Sequence, residues 1–157
     1  MQPSVRRRLC HVALAAVGII GFLTPSIAAT DDIVKARIAN FRELGAAFKS
    51  VKDALAGPEV QTVLIVQSAK QIRNAARAQM DMFPAGSGPQ PNIKTGAKPE
   101  IWSKPKEFRD AQEALVAEAD NFYNIAKAGN ADDIRAGATK LGSVCKGCHD
   151  GFRNKLD

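Results

Sequence analysis

The chain has 157 residues, of which 45% are hydrophobic, and its 22 basic and 16 acidic side chains give a net charge of +6 at neutral pH. This length suits one domain with a sizeable core and leaves no room for a second. No block of like charge lies beyond residue 28, so the composition gives little support to nucleic-acid binding.

The first 28 residues have the layout of an export signal. Three arginines at positions 6–8 precede an apolar run at positions 9–23, and small residues follow. The run is too short to span a bilayer comfortably as a permanent anchor. We therefore expect residues 1–28 to be a cleaved signal peptide and residues 29–157 to form a periplasmic domain that does not associate with the membrane.

Removal of this signal changes the charge and the inventory of metal-binding side chains. It takes away three basic residues and no acidic ones, so the net charge falls to +3. It also takes away one cysteine and one histidine, which leaves only Cys145, Cys148 and His149. Two close, free thiols in an oxidising compartment risk forming a strained disulfide, so we expect a covalent partner to consume them.

Two helices are predicted in the first half of the domain. The first runs from Thr30 to Leu55 and can be capped by Thr30 or Asp31. Its apolar residues include a series that repeats every seven positions, at Val34, Phe41, Phe48 and Leu55. The pair Gly57-Pro58 ends this helix and is expected to open the second, with Pro58 in its first turn and its end near Met82.

A long connection follows from Phe83 to Pro105. It contains five of the eight prolines and three glycines, so we expect no regular element of length there. Trp102 is the one large aromatic side chain near its end. We expect Trp102 to pin this connection against the helices.

Two further helices are predicted between Pro105 and the end of the chain. The third starts near Pro105 and stops around Gly129-Asn130, with one face formed by Phe108, Ala111, Leu115, Phe122 and Ile125. Asp132 can cap the fourth, whose apolar positions are Ile134, Ala138, Leu141, Cys145, Cys148, Phe152 and Leu156. The pattern predicts an all-α fold, an antiparallel four-helix bundle with one covalently bound cofactor between its helices.

The five residues from Cys145 to His149 match CxxCH, the attachment pattern of a c-type haem. On a helix the two cysteines can add across the haem vinyl groups while His149 lies under the iron as its axial ligand. A structural zinc site is the first alternative, but it needs four protein ligands and only these three soft or imidazole groups are available. A thioredoxin-like redox pair is the second, but it belongs to a βαβ setting that this helical pattern does not provide.

The chain resembles the class II c-type cytochromes, the cytochrome c′ family. The motifs that carry the resemblance are CKGCHDGFR near the C-terminus, Phe83-Pro84 before a Gly-rich loop, and Pro99 to Trp102 before the third helix. The resemblance implies one covalent haem c, binding of small diatomic gases such as nitric oxide and carbon monoxide, and one-electron redox change. It also implies a homodimer, and we expect no catalytic residues and no turnover of an organic substrate.

The resemblance also suggests roles for further residues. Arg37 and Phe41 match the family's arginine and, four residues on, its distal residue, and a phenyl ring cannot bind iron, so the haem is expected to be five-coordinate and high-spin. Arg37 and Arg153 are candidate partners of the haem propionates or of the proximal pocket. The alternative is a low-spin cytochrome with a sixth ligand that shuttles electrons between periplasmic donor and acceptor proteins, and Met80 or Met82 could supply that ligand. A weaker third possibility is a docking or sensing subunit.

Overall fold

The computed structural model describes residues 27–89 and 94–155. Its long helices are α1 (Ile27–Ala56), α2 (Thr62–Ala78), α4 (Pro105–Ala128) and α5 (Ala131–Phe152), and α3 (Glu100–Ser103) is a single turn. The expected all-α fold is therefore confirmed. Residues 1–26 and Leu156 lie outside the described residues, and with them nearly all of the expected signal peptide.

The four long helices pack side by side in chain order, each antiparallel to the next. Two polar contacts show that α2 and α4 are antiparallel. Gln79, just after the end of α2, accepts a hydrogen bond from Gln112 near the start of α4. Arg77, two residues before Gln79, binds Asp120, which lies eight residues after Gln112. The central core holds large side chains from all four helices, fully buried at Val51, Ile65, Ile72, Phe122, Ile134 and Leu141. Burial of each such side chain contributes about 1.5–3 kcal/mol to folding.

Helix α1 begins earlier than the sequence suggested. It starts at Ile27, so Thr30 and Asp31 lie inside the helix and neither of them caps it. The predicted caps are therefore absent from the full chain, in which the helix continues back through the alanines at positions 28 and 29, residues of high helix propensity. Cleavage of the expected signal peptide before position 29 would leave only one residue ahead of Thr30.

The connection between α1 and α2 is also longer than predicted. Pro58 does not open α2, which starts four residues later at Thr62. The intervening residues turn the chain: Val60 packs against the core, and the Gln61 amide donates to the Ala54 carbonyl at 3.3 Å. These tertiary contacts of Val60 and Gln61 accompany the later start of α2. A 3-10 turn over Gln79–Asp81 ends this segment close to the predicted position.

Trp102 holds the long connection as predicted. Its indole Nε1 donates to the Pro84 carbonyl at 3.0 Å, and its ring lies against Gly88. A Cβ atom at position 88 would be only 3.2 Å from Trp102 Cζ3, so this close approach depends on glycine. The one-turn helix α3, which the sequence did not predict, carries Trp102 into this position.

The boundary between α4 and α5 follows the expected residue types, with one correction. Gly129 ends α4 in the left-handed conformation, at a φ of 81°. Asp132 does not cap α5. The cap is Asn130, whose Oδ1 accepts hydrogen bonds from the amides of Asp132 and Asp133, both at 3.0 Å. The two carboxylates instead occupy the first turn, where they complement the helix dipole.

Within residues 27–89 and 94–155, no helix has both the length and the apolar character needed to cross a membrane.

Candidate haem site

Cys145 and Cys148 lie one turn apart on α5, and both are half-buried free thiols. Cys145 packs against the central core, whereas Cys148 packs against a second apolar cluster around Phe108. Burial raises the pKa of Cys145, and burial together with the nearby Cys145 raises the pKa of Cys148 to about 11. Burial therefore disfavours the thiolate form of both cysteines, which lie at the boundary between two apolar surfaces.

His149 follows directly and is exposed at the surface of α5. The buried part of its ring and the positive charge of Arg153 lower its pKa, and Asp150 opposes this shift. A lowered pKa favours the neutral imidazole, which is the form that can donate a nitrogen lone pair to a metal. These two cysteines and one histidine are the donor set that a covalently attached haem iron requires.

An aromatic cluster of Phe41, Phe83, Trp102, Phe108 and Phe152 lies beside Cys148. The Phe83 ring is at its centre, 6.1 Å from Phe41, 6.3 Å from Trp102 and 4.8 Å from Phe108 between ring centroids. Phe108 in turn lies 5.1 Å from Phe152, on α5. Phe41 and Cys148 therefore border one continuous apolar region, although they lie on the first and last helices.

Two contacts give the register between α1 and α5. Arg135 Nη1 donates to the Leu55 carbonyl at 2.7 Å. Phe48, seven residues before Leu55, lies against Gly142, seven residues after Arg135. A Cβ at position 142 would be 3.3 Å from Phe48 Cζ. Seven residues correspond to about two helical turns, so a further step in this antiparallel register would bring Phe41 level with His149.

Helices α1 and α5 form the loosely packed side of the bundle. Each packs closely against its chain neighbour, α2 or α4, but the two have few contacts with each other. On α1 Phe41 contacts the aromatic cluster through Phe83, and on α5 Cys148 packs against the same cluster. The site thus combines two thiols one helical turn apart, an imidazole and an adjoining apolar wall, which is the chemistry that fits a covalent haem.

Arg37 is almost completely buried, with 2% of its surface exposed. Its guanidinium donates four hydrogen bonds to the long connection. Nη1 donates to Ser87 Oγ at 3.2 Å and to the Met82 carbonyl at 3.3 Å. Nη2 donates to the Ser87 carbonyl at 3.0 Å and to Thr95 Oγ1 at 3.3 Å. The guanidinium also lies 4.6 Å from the centre of the Phe83 ring. Burial lowers the pKa of Arg37 to about 10, so it stays protonated at neutral pH. A haem propionate would have to compete with these acceptors.

Arg153 is exposed and lies just beyond the last helix, although the predicted fourth helix ran on to Leu156. Helix α5 ends at Phe152, and Arg153 is the extended residue that follows. It forms an antiparallel bridge with Ala97, flanked by hydrogen bonds from the Lys98 amide to the Phe152 carbonyl and from the Asn154 amide to the Gly96 carbonyl. The chain leaves the helix at this point because the loop offers these backbone partners.

Arg37 and Arg153 are connected through residues of the long loop that precedes α3. Thr95 Oγ1 accepts hydrogen bonds from Arg37 Nη2 and from the Ala97 amide, and Ala97 pairs with Arg153. Sequence reasoning missed Ser87 and Thr95, because a hydroxyl in a Gly- and Pro-rich loop carries no local sign of a partner some 50 residues away.

The two methionines that could supply a sixth ligand lie at the end of α2. Met80 Sδ accepts a hydrogen bond from Gln79 Nε2 at 3.6 Å, and the Met82 carbonyl accepts one from Arg37. Both residues belong to the 3-10 turn and the start of the loop.

Comparison with known proteins identifies similar chains. A family model described as Cytochrome C' matches residues 32–153. A cytochrome c′ of Rubrivivax gelatinosus is 36% identical over 70 residues, which cover 45% of this chain and about half, 54%, of that protein. A cytochrome c′ of Rhodopseudomonas palustris is 30% identical over 131 residues, covering 81% of this chain and 85% of that protein.

A solved structure gives the same result for the fold. It is a nitric oxide complex of a variant of cytochrome c prime from Alcaligenes xylosoxidans, 25% identical to this chain. The two superpose with a TM-score of 0.71, and the match covers 80% of this chain and 97% of the other.

Proposed function

The chain belongs to the cytochrome c′ family, and we propose that it is a periplasmic haem protein that binds nitric oxide and carbon monoxide at a five-coordinate, high-spin iron and exchanges single electrons. Proteins of this family carry one covalent haem c, and Cys145 and Cys148 fit its attachment motif. Haem iron supplies a redox-active centre with axial coordination positions for small ligands. The observation that carries the proposal is the register of α1 and α5, set by the Arg135–Leu55 and Phe48–Gly142 contacts, whose continuation would bring Phe41 level with His149.

On the proximal side, we assign three residues of α5 to the haem. Cys145 and Cys148 form the thioether bonds, and their half-buried position keeps both linkages at the apolar boundary. His149 donates a ring nitrogen to the iron, and its lowered pKa favours the neutral form needed for this role. The neighbouring charge of Arg153 supports the same neutral form.

On the distal side, we assign Phe41 to the position opposite His149. A phenyl ring has no lone pair to coordinate iron and no donor for a bound ligand, so it leaves the position open in a crowded apolar pocket. Bound dioxygen would gain no distal hydrogen bond, whereas uncharged diatomic gases need none. The nitric oxide complex of the Alcaligenes xylosoxidans protein supports this ligand class.

Cellular placement and assembly complete the proposal. Residues 1–28 direct export and are removed, and the domain works in the periplasm with electron donor and acceptor proteins. It forms a homodimer through α1 and α2. In support, α2 exposes Val63 and Leu64, at 75% and 41% of their surface, and an open groove between the two helices is lined by alanines and by polar side chains.

The proposal is tested by the optical spectrum of the reduced, purified holoprotein with and without carbon monoxide. We expect a high-spin spectrum that shifts when carbon monoxide is added, and a mass that includes one covalent haem. A sharp low-spin spectrum that carbon monoxide leaves unchanged would favour the electron carrier with a sixth ligand. A colourless protein with two titratable thiols would exclude any haem function.

A further inference from the structure

The exposed end of α5 collects positive charge around His149. Lys146 precedes the histidine by one turn of the helix and is 75% exposed at its side chain, and Arg153 follows it and is also exposed. Lys98 reaches the same place from the loop, where its Nζ donates to the Asp150 carbonyl at 2.9 Å. We call Lys98, Lys146 and Arg153 the basic face.

Asp150 is the carboxylate that contacts this group. It pairs with Lys146, and its carbonyl accepts the hydrogen bond from Lys98 Nζ. Arg153 is tied to the same turn by the hydrogen bond from its amide to the His149 carbonyl. These contacts place the three cations around Asp150 on one surface beside the imidazole.

The basic face is held by backbone structure. The Lys98 amide donates to the Phe152 carbonyl at 3.0 Å, and Arg153 pairs with Ala97 and donates its amide to the His149 carbonyl at 3.0 Å. Lys146 lies within a regular helix. The backbone that carries these charges is therefore ordered before a partner binds, in contrast to the backbone of a free tail.

We propose that the basic face is the docking surface for an acidic patch on a one-electron redox protein, which exchanges its electron through the exposed imidazole of His149. This inference rests on the proposed role of His149 as the iron ligand. In the forward direction ferrous iron loses one electron to the oxidised partner, which leaves ferric iron and the reduced partner, and no covalent bond changes. Complementary charge steers such encounters and raises their rate. Three cations around one imidazole favour a protein partner over a nucleic acid, whose backbone calls for more phosphate contacts.

Two lysines with the same local setting allow a controlled test. Lys146 pairs with Asp150 and Lys49 pairs with Asp53, each four residues on in a helix, and the two lysine side chains are 75% and 70% exposed. The substitutions Lys146→Glu and Lys49→Glu each lower the net charge by two. Only the first changes the basic face.

The kinetic measurement is stopped-flow oxidation of the ferrous holoprotein by two oxidants of opposite charge at low ionic strength. We expect Lys146→Glu to slow oxidation by ferricyanide about tenfold and to speed oxidation by the cobalt(III) tris-phenanthroline cation, while Lys49→Glu changes either rate less than about twofold. A shift in reduction potential would move both rates in the same direction, so the opposite signs identify a local charge effect. Equal responses of the two variants would overturn the proposal.

The binding measurement uses fluorescently labelled poly-L-glutamate as an acidic polypeptide. We expect it to bind the unmodified holoprotein and Lys49→Glu equally and Lys146→Glu at least fivefold more weakly, in proportion to the local charge lost. Equal binding to all three proteins, or tighter binding of a DNA duplex than of poly-L-glutamate, would overturn the docking proposal. The carbon monoxide spectrum separates the docking proposal from the proposed function. If the reduced holoprotein shows the expected shift with carbon monoxide but Lys146→Glu and Lys49→Glu react and bind alike, only the docking proposal is wrong.

Discussion

Phe48 of α1 lies directly against Gly142 of α5, so close that a Cβ on the glycine would be 3.3 Å from Phe48 Cζ. This contact and the hydrogen bond from Arg135 to the Leu55 carbonyl define how α1 and α5 are aligned. Continued for two more turns, this alignment would bring Phe41 level with His149. The heptad spacing of phenylalanines in α1 would then have two different consequences, since Phe48 closes the bundle and Phe41 is the proposed distal residue.

This difference can be tested by placing the same thioether at each position. Phe41→Met should bring a ligating sulfur to the distal side of the iron and convert the haem from high-spin to low-spin. Phe48→Met, two turns away, is a similar change in volume and should leave the spin state unchanged, with a loss of stability below about 1.5 kcal/mol. Optical and electron paramagnetic resonance spectra of both holoproteins report the outcome.

A high-spin spectrum in both variants would place Phe41 away from the iron. A low-spin spectrum in Phe48→Met alone would mean that the alignment of α1 and α5 is displaced by two turns.

Arg37 organises the long connection from within the bundle. Replacing it by methionine removes the donors for the Ser87 and Met82 carbonyls and for Thr95 Oγ1, and each buried acceptor left without a donor costs about 1–3 kcal/mol. Relief from burying a charge offsets part of this cost. We expect Arg37→Met to lower the free energy of unfolding by about 2 kcal/mol.

Urea unfolding of the holoprotein measures this loss, and Arg42→Met is the control. Arg42 lies on the same helix but is exposed, so its replacement should change stability by less than about 0.5 kcal/mol. Equal stability of the Arg37→Met and parent proteins would mean that the loop does not depend on the guanidinium.

Gly137 permits the close packing of α4 and α5. A Cβ there would lie 3.1 Å from Phe122 Cδ2 and 3.2 Å from Ile125 Cδ1, closer than packed side chains normally approach. Gly137→Ala should therefore lower the free energy of unfolding by about 1–3 kcal/mol. In Gly147→Ala, where a Cβ meets no atom within 4 Å, the better helix propensity should instead raise it by about 0.5–1 kcal/mol. Urea unfolding compares the two, and a stabilising Gly137→Ala would contradict this packing.

Local sequence signals predicted the helix ends that depend on the backbone preferences of proline and glycine. Pro105 starts α4 because its fixed φ suits a first turn, and Gly129 ends it because glycine adopts the left-handed conformation at no steric cost. The cysteine pair and His149 followed from their spacing alone. The start of α2 could not be predicted in this way, because it is accompanied by the packing of Val60 against other helices.

Long-range partners account for most of what the sequence did not predict. Arg37 matched a family position, but its acceptors in Ser87 and Thr95 lie 50 and 58 residues away. Arg153 had the spacing of a helix-face residue, yet pairing with Ala97 draws it out of the helix. Such contacts exist only once the loop is folded against the bundle.

The cap of α5 offers a final test, because two neighbouring residues have suitable side chains and only one forms the cap. Asn130 Oδ1 accepts hydrogen bonds from the amides of Asp132 and Asp133. Asn130→Ala should therefore lower the free energy of unfolding by about 1 kcal/mol, whereas Asn130→Asp keeps an acceptor and should lower it by less. Asp132→Ala removes only a favourable interaction with the helix dipole, about 0.3–1 kcal/mol in low salt, which added salt should screen. Urea unfolding at two salt concentrations separates the residues: the cost at Asn130 should persist in salt, and a larger, salt-independent cost at Asp132 would show that the cap lies there.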